Sequence, residues 1–437
     1  MSIMKLPFMV VSDGCGNIFE IPEITMAGMA ITLPVLPNHE DIIPLPHGSD
    51  LFTLPGRVAM GYDPGAHDFV EIPTYNGDTV YPVAAFMAPA YLQLYRSAYR
   101  RLHDAPVLSL YSYTSVGWQN GTFYVTGTRI DPDTRQDLKF MNADTIQRKA
   151  VTVRKRYSNN RLARHLIDNC VFRYGCPAAR NFVMGRWECP LPTSPYCNSG
   201  CIGCISKQPR DTTIMASQDR IEFIPTVEEI VEIAVPHLQN APCPVVSFGQ
   251  GCEGEPLLVG DVIEESIREI RRRTERGVIN INTNASRPEV VERLCKVGLD
   301  SIRVSLNSAQ ESYYTVYYRP QGYTYEHVVA SLKIASLFHL WTSLNYFMFP
   351  GFTDHPAEIS ALERLVSAIK LNMIQTRNLN IDPELYIEEL HLLDLSPKFM
   401  GTKNWIQHIK KKFPWVKLGY FNPPREKMKE KHFRFSR

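Results

Sequence analysis

A change of pattern near residue 190 constrains the fold most. From there to about residue 380, short apolar runs alternate with amphipathic segments of helical spacing, which is typical of β/α units around a parallel sheet. Ile263, Ile267 and Ile270 form one such helical stripe, at i, i+4 and i+7. The sequence therefore predicts an α/β core, with six strands at residues 191–194, 244–248, 278–283, 301–306, 343–347 and 373–376.

Helix starts support this division. Several predicted strands are followed by a segment that fits the capping box S/T-x-x-E, in which serine or threonine caps the helix and the acid reaches back. Since the caps follow strand ends, we expect the strand-to-helix loops on one rim, where α/β barrels keep their sites. The three segments are Thr226 with Glu229, Ser286 with Glu289, and Ser308 with Glu311.

The first 150 residues have a different character. Asp13-Gly14, Asn76-Gly77 and Asn120-Gly121 separate or follow runs rich in aromatic and β-branched residues, and such pairs are strong hairpin signals. One helix is expected at 90–103, where Tyr and Leu recur near helical spacing. The sequence therefore predicts a β-rich N-terminal domain at 1–165, the core at 166–380, and a C-terminal extension at 381–437 in which basic and aromatic residues mix.

Composition narrows the class of protein. Of 437 residues, 44% are hydrophobic and 21% charged, and 47 Lys+Arg face 45 Asp+Glu, so nothing global favours nucleic acid. Basic and aromatic residues near the C-terminus, including Phe433 and Phe435, are a weak exception, for which a packed appendage is the preferred interpretation. The N-terminus is a poor signal peptide, and no run approaches the length of a membrane span. A cytoplasmic protein without a membrane partner is expected.

In that compartment, the ten cysteines are thiols or metal ligands. Cys197, Cys201 and Cys204 have the spacing C-x₃-C-x₂-C, so one short loop can place all three sulfurs around one metal centre. Three ligands are too few for a closed zinc site and one short of a fully cysteine-ligated four-iron cluster. The loop could hold zinc with Cys189 or a distant histidine as fourth ligand, or an iron–sulfur cluster with one exposed iron.

The second notable stretch follows the second predicted strand. Gly249, Gly251 and Gly254 match the dinucleotide fingerprint G-x-G-x-x-G. The context argues against it, because the helical pattern starts near Asp261 and Glu255 would repel a pyrophosphate.

Together, the cysteine loop, the segment Glu253-Gly254-Glu255-Pro256 about 50 residues later, and six alternating units in order resemble the radical S-adenosylmethionine (SAM) superfamily. The resemblance covers about residues 190–380. It departs at Glu253, where the family's motif has glycine, and at Gly203, where an aromatic residue is usual before the third cysteine. It implies a partial (β/α)₆ TIM-like barrel.

The resemblance also implies the chemistry. Cys197, Cys201 and Cys204 would bind a [4Fe–4S] cluster that reductively cleaves SAM to a 5′-deoxyadenosyl radical, which takes hydrogen from an unidentified substrate. A flavodoxin or ferredoxin would supply the electron. No catalytic residue is assigned. The residues that would bind SAM at the strand ends are Gly254, Glu255, Pro256, Asn284, Arg303, Ser305 and Asn307.

Two other classes of protein remain open. One is a non-catalytic iron–sulfur protein for electron transfer or binding, and the less favoured one is a zinc- or dinucleotide-dependent oxidoreductase.

The remaining cysteines and a group of tyrosines receive structural interpretations. Cys170, Cys176 and Cys189 match no compact metal knuckle. Cys252 is interpreted as a buried residue without a chemical role, in preference to a thiol that donates a hydrogen atom near the SAM site. Cys15, Cys243 and Cys295 are expected as small buried residues. The tyrosines between residues 313 and 325 are expected to pack first and to wall a substrate second.

Overall fold

The computed structural model describes residues 6–209 and 213–429. Within it, the chain forms two compact units of interleaved segments. The first contains residues up to Thr134, Phe347–Ala361 and Thr376–Lys412, and the second contains Arg135–Tyr346, Leu362–Gln375 and the residues from Phe413 on. The division into domains at 165/166 and 380/381 stays a prediction.

Antiparallel strands dominate the first unit. Fourteen of them join in one sheet, and β9 and β10 form a separate pair. The strands are β1 Phe8–Ser12, β2 Ile18–Met26, β3 Gly28–Ala30, β4 Leu33–Val35, β5 Ile42–Pro44, β6 Asp50–Thr53, β7 Arg57–Asp63, β8 Asp68–Ile72, β9 Thr74–Tyr75, β10 Asp78–Thr79, β11 Tyr81–Phe86, β12 Tyr91–Gln93, β13 Arg96–Ser97, β14 Tyr99–Arg101, β15 Thr114–Gln119 and β16 Thr122–Arg129.

The predicted hairpins are present. Asn120 and Gly121 both have positive φ, at 51° and 78°, as a two-residue turn of type I′ requires. The flanking strands pair with Gln119 opposite Thr122. Asn76-Gly77 joins β9 to β10 in the same way.

The helix expected at 90–103 is wrong. These residues form β12, β13 and β14, which pair with β16, with β15 and β3, and with β7 respectively. Ala90 has a φ of 78°, which no right-handed helix accepts. The aromatic residues of the segment suit a pleated surface, and pairing with distant strands outweighs their local spacing.

A parallel sheet organises the second unit. Its strands follow one another in chain order, and the pairs from β17 to β21, as well as β22 with β23, are parallel. The α/β fold is thereby confirmed. The strands are β17 Glu188–Leu191, β18 Val245–Phe248, β19 Val278–Thr283, β20 Ser301–Leu306, β21 Trp341–Met348, β22 Met373–Asn378 and β23 Lys417–Gly419.

Two strands differ from expectation. The first ends at Leu191 instead of starting there, because Thr193 and Ser194 direct their amide N–H groups to the Glu253 carboxylate rather than to a neighbouring strand. Strand β23 was not predicted, since its three residues, Lys417–Gly419, carry too little pattern.

Helices lie between the strands. The stripe of Ile263, Ile267 and Ile270 is fully buried. The α-helices are α1 Ala143–Arg156, α2 Arg161–Arg164, α3 Pro177–Met184, α4 Val227–Asn240, α5 Gly260–Arg273, α6 Pro288–Lys296, α7 Glu311–Tyr318, α8 Tyr325–Leu337, α9 Pro356–Ile369, α10 Pro383–Glu389, α11 Thr402–Lys412 and α12 Arg425–Lys429. Residues His165–Arg173 form a π-helix, and short 3₁₀-helices cover His39–Asp41, Thr134–Gln136, Leu138–Phe140, Pro256–Val259 and Leu392–Asp394.

One of the three predicted caps is confirmed. Thr226 caps α4, with both bonds of the capping box to Glu229. The other two are wrong, because α6 and α7 begin after Arg287 and Gln310. Ser286 instead bonds the side chain of Asn198 in the cysteine loop, at 3.0 Å.

Exposure corrects part of the cysteine interpretation. Cys295 is buried as expected, whereas Cys15 and Cys243 are exposed. Within the described ranges, no helix combines the length and apolarity that crossing a membrane requires. Phe433 and Phe435, named for the C-terminal extension, lie outside the described residues.

Candidate functional site

The cysteine loop follows β17 and is anchored on the end of α7. The amide N–H of Gly200 donates to the carbonyl oxygen of Tyr318 at 3.0 Å, and that of Ile202 donates to Tyr317 at 3.1 Å. Ser199 forms a β-bridge with Pro320. The backbone of the loop is therefore fixed at residues next to its cysteines, with Gly200 before Cys201 and Ile202 after it.

The three thiols of the loop are partly buried. Burial raises the pKa of Cys197 to about 11 and raises that of Cys201 well above its ordinary value, and the neighbouring loop thiols add to both effects. Cys204 Sγ lies 3.5 Å from Nη2 of Arg220, whose Nε donates to Ser206 at 3.1 Å. A metal centre bound here must displace the thiol protons, so its affinity depends on pH.

The segment after β18 is joined directly to the start of the cysteine loop. The amide N–H groups of Gly254 and Glu255 donate to the carbonyl oxygens of Ser194 and Tyr196, both at 2.7 Å. A Cβ at Gly254 would collide with the Tyr196 carbonyl oxygen and lie 2.5 Å from its carbonyl carbon. Glycine is therefore required at 254 by close backbone approach.

The dinucleotide fingerprint has no helix at its third glycine. After Gly254 come the 3₁₀-helix that Pro256 begins and then α5, which starts at Gly260. The predicted start of the helix near Asp261 is thereby confirmed.

Two buried carboxylates follow one another in this segment. Glu253 Oε2 accepts from the amides of Thr193 and Ser194, at 2.8 and 2.9 Å. Burial raises the pKa of each glutamate to about 7. The hydrogen bonds work against that shift, because every one of these partners donates and so favours the ionised carboxylate.

Glu255 has a structural role that its sequence context only partly indicated. Its Oε1 accepts from the amide of Leu257 at 3.0 Å and from the Thr283 hydroxyl, and its Oε2 accepts from the amide of Asn284 at 2.7 Å. It thus caps the short helix after Pro256 and holds the end of β19. A carboxylate has about four acceptor positions, so one on Oε2 remains for a ligand.

Asn284 connects the end of β19 to the loop. Its Nδ2 donates to Asn198 Oδ1 at 2.8 Å and to Ser199 Oγ at 3.0 Å. Gly254, Glu255 and Asn284 therefore form one hydrogen-bonded assembly with the loop of the three cysteines.

Residues of β20 and the turn after it have other partners. Nη1 of Arg303 donates to Gln375 at 2.9 Å, and Nδ2 of Asn307 donates to the carbonyl oxygen of Tyr313 at 3.1 Å. Ser305 is half-buried.

Tyrosines of α7 and the segment after it pack beside the loop. Tyr323 Oη lies 2.8 Å from Ser199 Oγ and 3.1 Å from Tyr314 Oη. The buried Oη of Tyr318 has no hydrogen-bond partner among the described residues. Burial raises the pKa of Tyr318 well above its ordinary value, and the charges of Tyr317 and Cys201 add to the shift. The predicted packing is confirmed, and contact with the loop is added to it.

These features fit a cysteine-ligated cluster. Thiolates are the ligands that iron–sulfur clusters use, and the buried Tyr318 hydroxyl, which has no partner among the described residues, needs a group to bond. Ligands of one ion must also crowd together. Among the described residues, a group of at least three His, Cys, Asp or Glu ligand atoms within 4.8 Å of one another is found outside the cysteine loop. The sulfurs of Cys197, Cys201 and Cys204 do not form such a group. The wider spacing in the loop suits a centre whose irons each take one cysteine.

That closer set consists of His165, Cys170 and Cys252. The two sulfurs are 3.5 Å apart. Hydrogen bonding from Cys252 and then from His165 lowers the pKa of Cys170. Sequence reasoning considered both cysteines singly and missed the set, because its members come from segments more than 80 residues apart.

Comparison with known proteins gave one family. Residues 191–362 match the family model described as the radical SAM superfamily. The comparison with curated proteins gave no match.

The similar solved structures include three that share 12–15% identity with this chain. HydG, a maturase of the [FeFe]-hydrogenase, has 15% identity and a TM-score of 0.37, with 64% of this chain and 66% of that chain covered. Streptococcus suis SuiB bound to precursor peptide SuiA has 15% identity and a TM-score of 0.37, with 56% of this chain and 53% of that chain covered. Methylornithine synthase (PylB) has 12% identity and a TM-score of 0.37, with 65% of this chain and 74% of that chain covered. The chain thus spans less than two thirds of the length of the first two.

Proposed function

Because residues 191–362 make this chain a member of the radical SAM superfamily, we propose that it is an enzyme that cleaves SAM reductively to abstract hydrogen from a substrate. We propose further that the second unit builds a partial (β/α)₆ TIM-like barrel around this site, that the protein works in the cytoplasm, and that a flavodoxin or ferredoxin reduces it.

One observation carries the proposal. The loop with Cys197, Cys201 and Cys204 and the segment with Gly254 and Glu255 are joined by two backbone hydrogen bonds of 2.7 Å. They lie about 50 residues apart in sequence, and together they carry the resemblance to the radical SAM superfamily. Their direct contact supports a single site in which one motif holds the metal centre and the other holds its ligand.

In this proposal, the three loop cysteines hold a [4Fe–4S] cluster. When bound, the cluster supplies the electron for SAM cleavage and leaves one iron open to SAM. The chain's contribution is position. Helix α7 fixes the loop backbone through Gly200 and Ile202. The buried hydroxyl of Tyr318, whose carbonyl oxygen anchors the loop, would supply a donor to the centre.

The strand ends would hold SAM. Glu255 offers the acceptor position left on Oε2 to the SAM ammonium group, while its other positions keep β19 and the helix start in place. Its burial strengthens this attraction, because few waters compete. Asn284 is already bonded to the loop and so lines the same space. The full proposed set is Gly254, Glu255, Pro256, Asn284, Arg303, Ser305 and Asn307.

The experiment is anaerobic reconstitution with iron and sulfide, followed by reduction and electron paramagnetic resonance with and without SAM. About four irons per chain are expected, with a spectrum that changes when SAM is added. Cys201→Ala removes a proposed ligand and should lose most of the signal. Cys15→Ala removes an exposed thiol of the other unit and serves as the matched control. Wild-type iron and spectrum in Cys201→Ala, or a reduced cluster indifferent to SAM, contradict the proposal.

A further inference from the structure

A second cluster of soft ligands lies beside the site. His165 and Cys170 come from the π-helix His165–Arg173, and Cys252 comes from the segment after β18. The ring nitrogen and the two sulfurs all lie within 4.8 Å of one another. None of these residues has a part in the proposed SAM chemistry.

The π-helix brings the first two ligands together. It bonds residue i to residue i+5, so positions 165 and 170 lie nearly one above the other. An α-helix, at 3.6 residues per turn, would rotate them about 140° apart. Short π-helical segments are rare and often occur at functional sites, so a departure from α-helix that aligns an imidazole with a thiol points to a ligand.

The imidazole supplies an independent observation. His165 Nε2 is buried and has no hydrogen-bond partner among the described residues. Buried polar atoms are nearly always satisfied, so this nitrogen needs a partner that the protein does not supply. A ring nitrogen of His165 lies within 4.8 Å of both sulfurs, so a ligand that the imidazole binds there would lie between the three side chains.

The separations fit a single zinc ion. With Zn–S bonds of about 2.3 Å, two sulfurs of a tetrahedral site are about 3.8 Å apart. Cys170 Sγ and Cys252 Sγ are 3.5 Å apart, close to this value and well beyond the roughly 2.05 Å of a disulfide bond. We propose that His165, Cys170 and Cys252 bind one Zn²⁺, a borderline-soft ion that takes nitrogen and sulfur ligands in tetrahedral geometry.

A further cysteine lies close by in sequence. Cys176 follows the π-helix, and its amide N–H donates to the Cys170 carbonyl oxygen at 2.7 Å. Cys176 is not among the residues whose ligand atoms all lie within 4.8 Å of one another, so the proposal assigns three protein ligands, His165, Cys170 and Cys252.

The location gives the ion its role. Cys252 directly precedes Glu253, whose carboxylate receives the amides of Thr193 and Ser194 at the start of the cysteine loop. Zinc bound to Cys252 would therefore link the π-helix to the segment that holds the start of the cysteine loop. It is a positioning element for the neighbouring site, and its binding does not depend on SAM cleavage.

Zinc could also enter the loop of three cysteines, so the test removes that loop first. The background is the full chain with Cys197→Ser, Cys201→Ser and Cys204→Ser, purified without chelators. Mass spectrometry of metals should find about one zinc per chain. Adding Cys170→Ser or Cys252→Ser should remove it, whereas Cys295→Ser, a buried thiol on α6, should leave it in place.

Cobalt provides the second measurement, which needs no further variant. After zinc is stripped from the background protein, one equivalent of Co²⁺ should give the sulfur-to-cobalt charge-transfer band and the visible bands of a tetrahedral thiolate site. Circular dichroism checks the fold at each step. Iron in place of zinc, a Cys170–Cys252 disulfide in the purified protein, zinc retained in Cys170→Ser, or folded background protein that takes neither metal each overturn the proposal. A chain that binds zinc but never cleaves SAM overturns the proposed function alone.

Discussion

Gly254→Ala tests the contact between the two motifs. The added Cβ collides with the Tyr196 carbonyl group, so the backbone there must separate and two hydrogen bonds of 2.7 Å are lost. Two such bonds contribute about 1–3 kcal/mol together, and overpacking costs about 1–3 kcal/mol more. We therefore expect the segment to open at a free energy about 2–6 kcal/mol lower than in the wild type.

Hydrogen exchange measures this opening locally. In the middle of that range, about 4 kcal/mol, amides of residues 254 and 255 should exchange about 1000-fold faster, because 1.36 kcal/mol corresponds to a factor of ten. Iron taken up on reconstitution should fall as well, since the loop start is no longer held. Backbone amides of the first unit should exchange as before.

Gly200→Ala is the matched control, because it lies inside the cysteine loop itself. A Cβ there would be 3.5 Å from the Arg319 Cβ, which is ordinary van der Waals contact. Exchange and iron content should stay near wild type. Wild-type exchange in Gly254→Ala, or equal losses in the two variants, would refute the reasoning from close approach.

Two further predictions concern buried charge. Arg57 is buried, and its guanidinium is bonded to Asp382 at 2.8 Å and to Glu384 at 3.2 Å. Arg57→Ala should therefore destabilise the first unit by about 3–5 kcal/mol in denaturant unfolding. Arg100→Ala removes an exposed ion pair and should cost far less. Similar costs for the two variants contradict this. Burial lowers the pKa of His237 to about 4, whereas the unfolded chain has a histidine pKa near 6.5. Between these two pH values the unfolded chain binds a proton at His237 and the folded chain does not. Stability should therefore fall by about 2 kcal/mol from pH 7 to pH 5, and His237→Gln should flatten this dependence; an unchanged slope in that variant rules the cause out.

The sequence predicted the fold where the local pattern was strong. Strands Val278–Thr283 and Ser301–Leu306 match their predicted bounds, since the first is buried on both faces and the second is buried except at Arg303 and Ser305. It failed at residues 90–103, where short strands depend on partners distant in sequence. It also failed at Ser286, whose hydroxyl bonds the cysteine loop instead of capping a helix.

The candidate site shows the same division. The cysteine spacing is local and could be found by inspection. The three donors around Glu255 arise from two separate segments, and no spacing reveals them. The set of His165, Cys170 and Cys252 was beyond prediction, because it requires both a π-helix and a contact between residues 82 apart.

The most direct test of the central claim is the product of SAM cleavage. Reconstituted, reduced protein is incubated with SAM under anaerobic conditions, and 5′-deoxyadenosine is quantified by liquid chromatography and mass spectrometry. We expect the wild type and Cys15→Ala to form this product, and Cys201→Ala to form less than about a hundredth as much, because the cluster loses one of its three protein ligands. No product from a wild type that holds its cluster, or equal product from Cys201→Ala, would contradict the account.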